Sequence, residues 1–374
     1  MTRSATQSNL LRLVRRGGLS FTFLSVTLIA AAGLSSVGAA GLDPAHVPAD
    51  AKWVLHMDYE SLSDSAMWQK IRNEKPMASK MVQGWMKKRY GIDPPSDLKS
   101  LTMFSRDYRE YTGSVIVQAD YDPEKIRERV SKAMNHRTTK WQGHTLHTIT
   151  LSKQKPSDEG PSGDEEMTIV LVDEDTILLG SSVPNTQEAL NLLDGEVASL
   201  ANKDSKLLSD HFGHAWFYGA AIDLGDLENH PVAMPIIAQH DRITWSFGKN
   251  DDGMLYETAD LVAQSEEVAK QMKTVLEGLV AYEKLWSSGS EPMTALMRNV
   301  EIHHDGKTTG FDWKGGPDQV VAAMGDVFDR LETWKPILMK NEQAHGKQRH
   351  GKQGHGKQAH GKHARGKSDN ESKY

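Results

Sequence analysis

The stretch from Asp241 to Trp286 changes its apolar period part-way, and that change restricts the fold more than any other feature of the chain. Ile243, Trp245 and Phe247 alternate with polar residues, as a half-buried strand requires. Asn250, Asp251, Asp252 and Gly253 then supply turn chemistry, with a glycine that tolerates positive φ. A second strand over 254–261 runs into Ser265, Glu266 and Glu267, a helix N-cap followed by two carboxylates where the helix dipole favours them. Val268, Met272, Val275, Leu279, Tyr282 and Trp286 follow at steps of four and three, which sets them on one helix face. The spacing predicts a hairpin and a long helix that buries this stripe on the sheet.

The unit recurs in outline. Lys52 to Asp58 reads as a strand, Leu101 to Phe104 and Gly113 to Ala119 as a strand pair, and Pro123 to Met134 as a helix with proline at its start. Two hairpins follow the same logic, Met167 to Gly180 and Val300 to Trp313, and helices open at Pro184 and Pro317. Gly113 leads to Ala119-Asp120 and Gly253 to Ala259-Asp260 at the same spacing. The expectation is an α+β protein of two related lobes, 45–195 and 213–333, each an antiparallel sheet with helices packed on it.

The two ends differ from this body. Residues 1–39 have a signal peptide's pattern: Arg3, Arg12, Arg15 and Arg16, then an uncharged apolar run from Leu19 to Ala32, then small residues at Val37-Gly38-Ala39. A membrane anchor needs about twenty unbroken apolar residues, which this run lacks, so the mature chain is expected to carry no membrane span. The 374 residues include no cysteine, which removes disulfides, thiol nucleophiles and Cys-ligated metals from consideration. An exported chain without disulfides fits a bacterial periplasm or exterior.

Charge is unevenly spread. Residues 340–374 carry nine Lys or Arg against three Asp or Glu, and residues 1–40 carry four Arg and no acid. With a net charge of -6 for the whole chain, the body is left at -16. Phosphate repels such a body, which argues against nucleic acid as its partner.

Val47-Pro48-Ala49-Asp50-Ala51, the Trp53-led strand, Gly91-Ile92-Asp93-Pro94 before a strand, and the helix over 267–285 with its hairpin ending at Trp313 resemble exported planctomycete-type proteins of uncharacterised function. The resemblance spans most of residues 45–332. It implies a cell-envelope setting with an unknown envelope partner, and no reaction.

Chemistry-bearing residues concentrate in the tail. His345, His350, His355 and His360 repeat every five residues, each followed by glycine, with His363 out of step. Glycine at each repeat and the lack of large apolar residues predict a disordered segment. Three readings stay open: imidazoles converging on Ni, Cu or Zn, a polycationic contact to a polyanion, or a solubilising tail without a ligand. Elsewhere, His144 and His147, His211 and His214, and His303 and His304 lack the spacing of convergent ligands. Asp173, Glu174 and Asp175, like Asp251 and Asp252, fall at hairpin turns, where aspartate serves the backbone. No nucleophile elbow, phosphate-binding glycine loop or His-Glu-x-x-His helix is present, so no catalytic or cofactor-binding residue can be named. The favoured expectation is a non-catalytic envelope or extracellular binding protein; the alternative is transition-metal sequestration by the tail, and a hydrolase would need a cleft that sequence does not reveal.

Overall fold

Alternating β-branched and aromatic residues build twelve strands in this computed structural model, which describes residues 41–74, 97–109, 112–151, 165–202, 204–209, 212, 215–227 and 235–326. The strands are β1 (Trp53–Asp58), β2 (Leu98–Ser105), β3 (Ser114–Ala119), β4 (Arg137–Trp141), β5 (His144–Leu151), β6 (Glu165–Leu171), β7 (Thr176–Gly180), β8 (Ala215–Ile222), β9 (His240–Lys249), β10 (Leu255–Ala263), β11 (Val300–Asp305) and β12 (Thr308–Gly315). The helices are α1 (Tyr59–Asp64), α2 (Ala66–Glu74), α3 (Pro123–Ser131), α4 (Val183–Leu193), α5 (Glu266–Trp286) and α6 (Glu291–Arg298), and residues 317–326 are also helical. The fold is α+β, with helices packed on an antiparallel sheet.

One sheet holds all twelve strands, in the order β11-β12-β10-β9-β8-β1-β2-β3-β7-β6-β5-β4. Outward from its centre, β1-β2-β3-β7-β6 on one side has the same arrangement as β8-β9-β10-β12-β11 on the other. Each half runs through a first strand, a hairpin, a helix (α3 or α5), a second hairpin and a last helix (α4 or 317–326). The hairpin β4–β5 is the extra piece of the first half. The stretches expected as two lobes are thus two halves of one sheet. They join where β1 and β8 pair antiparallel, from Trp53 opposite Ala221 to Met57 opposite Phe217.

The main core lies on one face of the first half. Val54, Phe104, Ile116, Leu178, Val170 and Leu146 come from neighbouring strands and share that face, because pairing register and the two-residue period align them. Ala189, Leu190 and Leu192 of α4 cover them, and Tyr218 and Ala220 of β8 carry the cluster across the centre. Ser182 caps α4 by accepting the Asn185 N–H, with Pro184 in the first turn.

Helix α5 departs from the sequence expectation. Ser265 caps it as predicted, accepting the Val268 N–H. Its buried residues are Ala269 and Met272, and the half-buried Leu276, Val280 and Glu283 extend that line. Of the predicted stripe, Met272 is buried and Val268 half-buried, but Val275, Leu279 and Tyr282 are 40%, 50% and 54% exposed. Two apolar faces compete on this helix, and the sheet takes the one with alanine. A side chain ending at Cβ lets the helix axis come close to β12 and β11, which the bulkier stripe would prevent.

Residues 1–39 and 340–374, with the expected signal peptide and tail, lie outside the described residues, as do Pro76, His211 and His214. No helix among the described residues is long and apolar enough to cross a membrane.

Candidate functional site

A half-open cavity of about 240 Å³ lies where the β2–β3 connection meets α4. Phe104, Pro48 and Ala189 contribute apolar lining, and Ser105, Thr112, Ser114 and Asn185 supply neutral polar groups. Arg106, Asp107, Arg109 and Glu188 complete the wall.

Local chemistry fixes this connection. Trp53 donates its indole N–H to the Asp107 carbonyl at 2.9 Å, holding the start of the loop to β1. The Tyr108 hydroxyl donates to the Ile222 carbonyl at 2.5 Å, and burial first, then Asp223 and Asp226, push that phenol far above its ordinary range. The loop is therefore tied to both halves of the sheet. Within it, the Asp107 carboxylate accepts from the Thr112 hydroxyl at 2.6 Å and from the Arg109 N–H at 3.0 Å. Burial pushes the Asp107 carboxyl up, but the Arg109 guanidinium and the Thr112 hydroxyl outweigh it and hold the group below the usual carboxylate range.

Among the described residues, the ionic groups on the wall are paired. Arg106 donates to Asp50 at 2.7 Å and also pairs with Glu188; Arg109 pairs with Asp107 at 2.6 Å. The neutral groups differ. Asn185 donates through Nδ2 to the Thr112 carbonyl at 2.9 Å and to the Ser181 hydroxyl at 2.8 Å. Because a carbonyl only accepts, the first bond fixes the amide's orientation and leaves Oδ1 unengaged. The Ser114 hydroxyl likewise makes no hydrogen bond among the described residues, although Ser114 is only 4% exposed. A hydroxyl and an amide oxygen are left for an occupant.

Further titratable groups among the described residues lie on the second half of the sheet and on β5. On β10, Glu257 accepts from the Trp245 indole at 2.9 Å, and burial drives its carboxyl up to about 7 against that bond's opposing pull. His303 bridges β11 to its neighbours, with Nε2 at 2.8 Å from Asp260 and Nδ1 at 3.1 Å from Asp312. Gly310 sits between Asp260 and His303 in register, and a Cβ there would meet the His303 ring at 2.7 Å. His136 and His147 stack with Nε2 and Nδ1 3.0 Å apart.

His144 and His147 of β5 do not converge on one point. His147 turns to His136 while His144 approaches Asp194 at 3.9 Å, as the odd spacing along a strand requires. Among the described residues no group of three or more histidines and acids is placed to hold a metal ion. His345, His350, His355, His360 and His363 lie outside those residues. At the turns, the Asp173 carboxylate accepts the Asp175 and Thr176 N–H groups, and Asp252 accepts that of Met254. Among the tryptophans of the strands, Trp245 is buried, whereas Trp53 and Trp141 are half-buried.

No protein-family model matches the chain, and no curated protein matches it. Among solved structures it is similar to crystal form I of TP0453, at 12% identity and a TM-score of 0.37, over 77% of this chain and 98% of that one.

Proposed function

We propose that the chain is an exported, non-catalytic binding protein of the cell envelope or exterior, and that its small ligand occupies the cavity between the β2–β3 connection and α4. The observation that carries this reading is a concave, partly buried site whose wall is fixed by its own ion pairs while two polar groups on it stay unengaged. Thermal unfolding in the presence of sugars, polyols, carboxylic acids, amines and phosphates tests it. A ligand should raise the melting temperature of the wild type and not of Asn185→Leu; a shift that is the same in both, or no shift with any class, sinks the reading.

The second reading is metal binding by the tail, favoured by the five-residue histidine repeat from His345 to His360. Calorimetric titration of the chain and of a form ending at residue 340 with Ni, Cu and Zn decides it. Uptake at pH 7.5 that needs the tail and fades at pH 5.5, as imidazoles protonate, supports the reading. Equal heats from both forms remove it. Export itself is checked by sequencing the N-terminus of the protein recovered outside the cytoplasm, which should begin near residue 40.

A further inference from the structure

We propose that the outer face of α5 pairs with the same face of a second copy of the chain, the two helices being related by a two-fold axis near Gly278. That face is apolar and open: Leu285 is 74% exposed, and Val275, Leu279, Tyr282 and Trp286 are each about half exposed. It also lacks charge. Between residues 271 and 286 the exposed charges are Glu277 and Lys284, which project in nearly the same direction. The nine other exposed positions are uncharged and span roughly 160° of the helix, away from the sheet. Within that arc Val275, Leu279, Tyr282 and Trp286 recur at steps of four, three and four, the spacing that lays one helix along another.

Gly278 lies at the middle of the arc. A Cβ there would meet nothing within 4 Å among the described residues, and glycine inside a helix costs stability relative to alanine, so no contact within the chain explains it. Across an interface a missing side chain lets a second backbone come close. Self-complementarity then identifies the occupant. A two-fold contact sets residue i against j and j against i, so an axis near Gly278 brings Val275 opposite Tyr282 of the second copy and lays an uncharged arc on an uncharged arc. A lipid surface is the poorer match. Helices that lie on bilayers are rich in Lys and Arg on the polar side, whereas α5 has four Glu against three Lys, with Lys270 paired to Glu266 and Lys273 to Glu277. With aromatic side chains of roughly 150–250 Å², the five apolar residues expose on the order of 500 Å², short of the roughly 800 Å² per partner in a standard stable interface. The pair should therefore be weak, dissociating at about 1–100 μM.

The test is sedimentation equilibrium of residues 40–374 from about 1 to 500 μM, a range that brackets the expected dissociation constant. The average mass should climb from that of one chain to that of two. Leu279→Gln and Tyr282→Gln, which keep good helix formers at exposed positions, should each weaken pairing about tenfold or more. Gly278→Leu should weaken it as well, although it adds apolar surface, and Lys284→Gln, on the charged side, should change it less than about twofold. A single chain at every concentration overturns the proposal, as do pairing that both glutamine variants leave intact and growth beyond two copies. Tighter pairing in Gly278→Leu overturns the close crossing at that residue. A lower melting temperature of dilute, monomeric Leu279→Gln and Tyr282→Gln would mean that the chain covers this face itself, which also overturns it. Vesicles of phosphatidylcholine and phosphatidylglycerol that bind the wild type but not Tyr282→Gln would give the face to lipid instead.

Discussion

Glu257 shows how one side chain sets a pH dependence. Its carboxyl is raised from 4.5 to about 7 by burial, despite the bond from Trp245. A raised carboxyl keeps its proton in the folded chain while the unfolded chain has lost it, so its contribution is whole below pH 4.5 and is lost as pH rises through 7. Glu257→Gln keeps an acceptor for the Trp245 indole and removes the ionisation. It should stabilise the protein by about 1–3 kcal/mol at pH 8 and by nearly nothing at pH 4.5, measured by urea unfolding at both pH values. His147 and His240 act on the acid side: burial lowers both, so their contribution is complete above pH 6.5 and declines as pH falls below it. Gly310→Ala should destabilise by more than about 2 kcal/mol, since the new Cβ would sit 2.0 Å from the Ala259 carbonyl. The behaviour of these residues cannot be read from the sequence, because it comes from neighbours supplied by other strands.

Elements were legible where local chemistry decides them. The Asn250–Gly253 turn, with Gly253 at φ 82°, the Ser265 cap and the proline-led helices α3 and α4 follow from side chains close in sequence. Two features escaped. Strand β4 is Arg-Thr-Thr-Lys-Trp and is exposed on nearly every residue. An edge strand covered on neither face has no two-residue burial period to detect. For α5 the period and the burial of Met272 follow from the sequence, but beyond it the buried line passes to Leu276, Val280 and Glu283, because hydrophobicity does not say which of two adjacent stripes the sheet can approach. The faces separate by mutation: Met272→Ala should cost about 2–4 kcal/mol, while Leu279→Ala should stay within about 0.5 kcal/mol. The candidate cavity escaped for a third reason, since its lining is assembled from residues 48, 104–107, 109, 112, 114, 185, 188 and 189, which are far apart in sequence.

At the scale of the molecule, the repeated order of elements was visible as matched spacing at Gly113 and Gly253, which precede β3 and β10. What spacing did not reveal is the join. Lys52 pairs with Asp226, the Tyr108 hydroxyl reaches the Ile222 carbonyl, and β1 hydrogen-bonds to β8 along its length. Residues 41–326 should therefore unfold in one calorimetric transition whose van't Hoff and calorimetric enthalpies agree. Two resolved transitions would show that the halves hold themselves.

The pairing of β1 with β8 also sets an order of events. On a growing chain β1 emerges long before Ala215 to Ile222, so the first half waits with a row of open backbone donors and acceptors along Trp53–Asp58. Such long-range closure is slow, and an unmatched strand invites pairing with another nascent chain. The acidic body answers part of that hazard, since like charges keep waiting chains apart until their own β8 arrives.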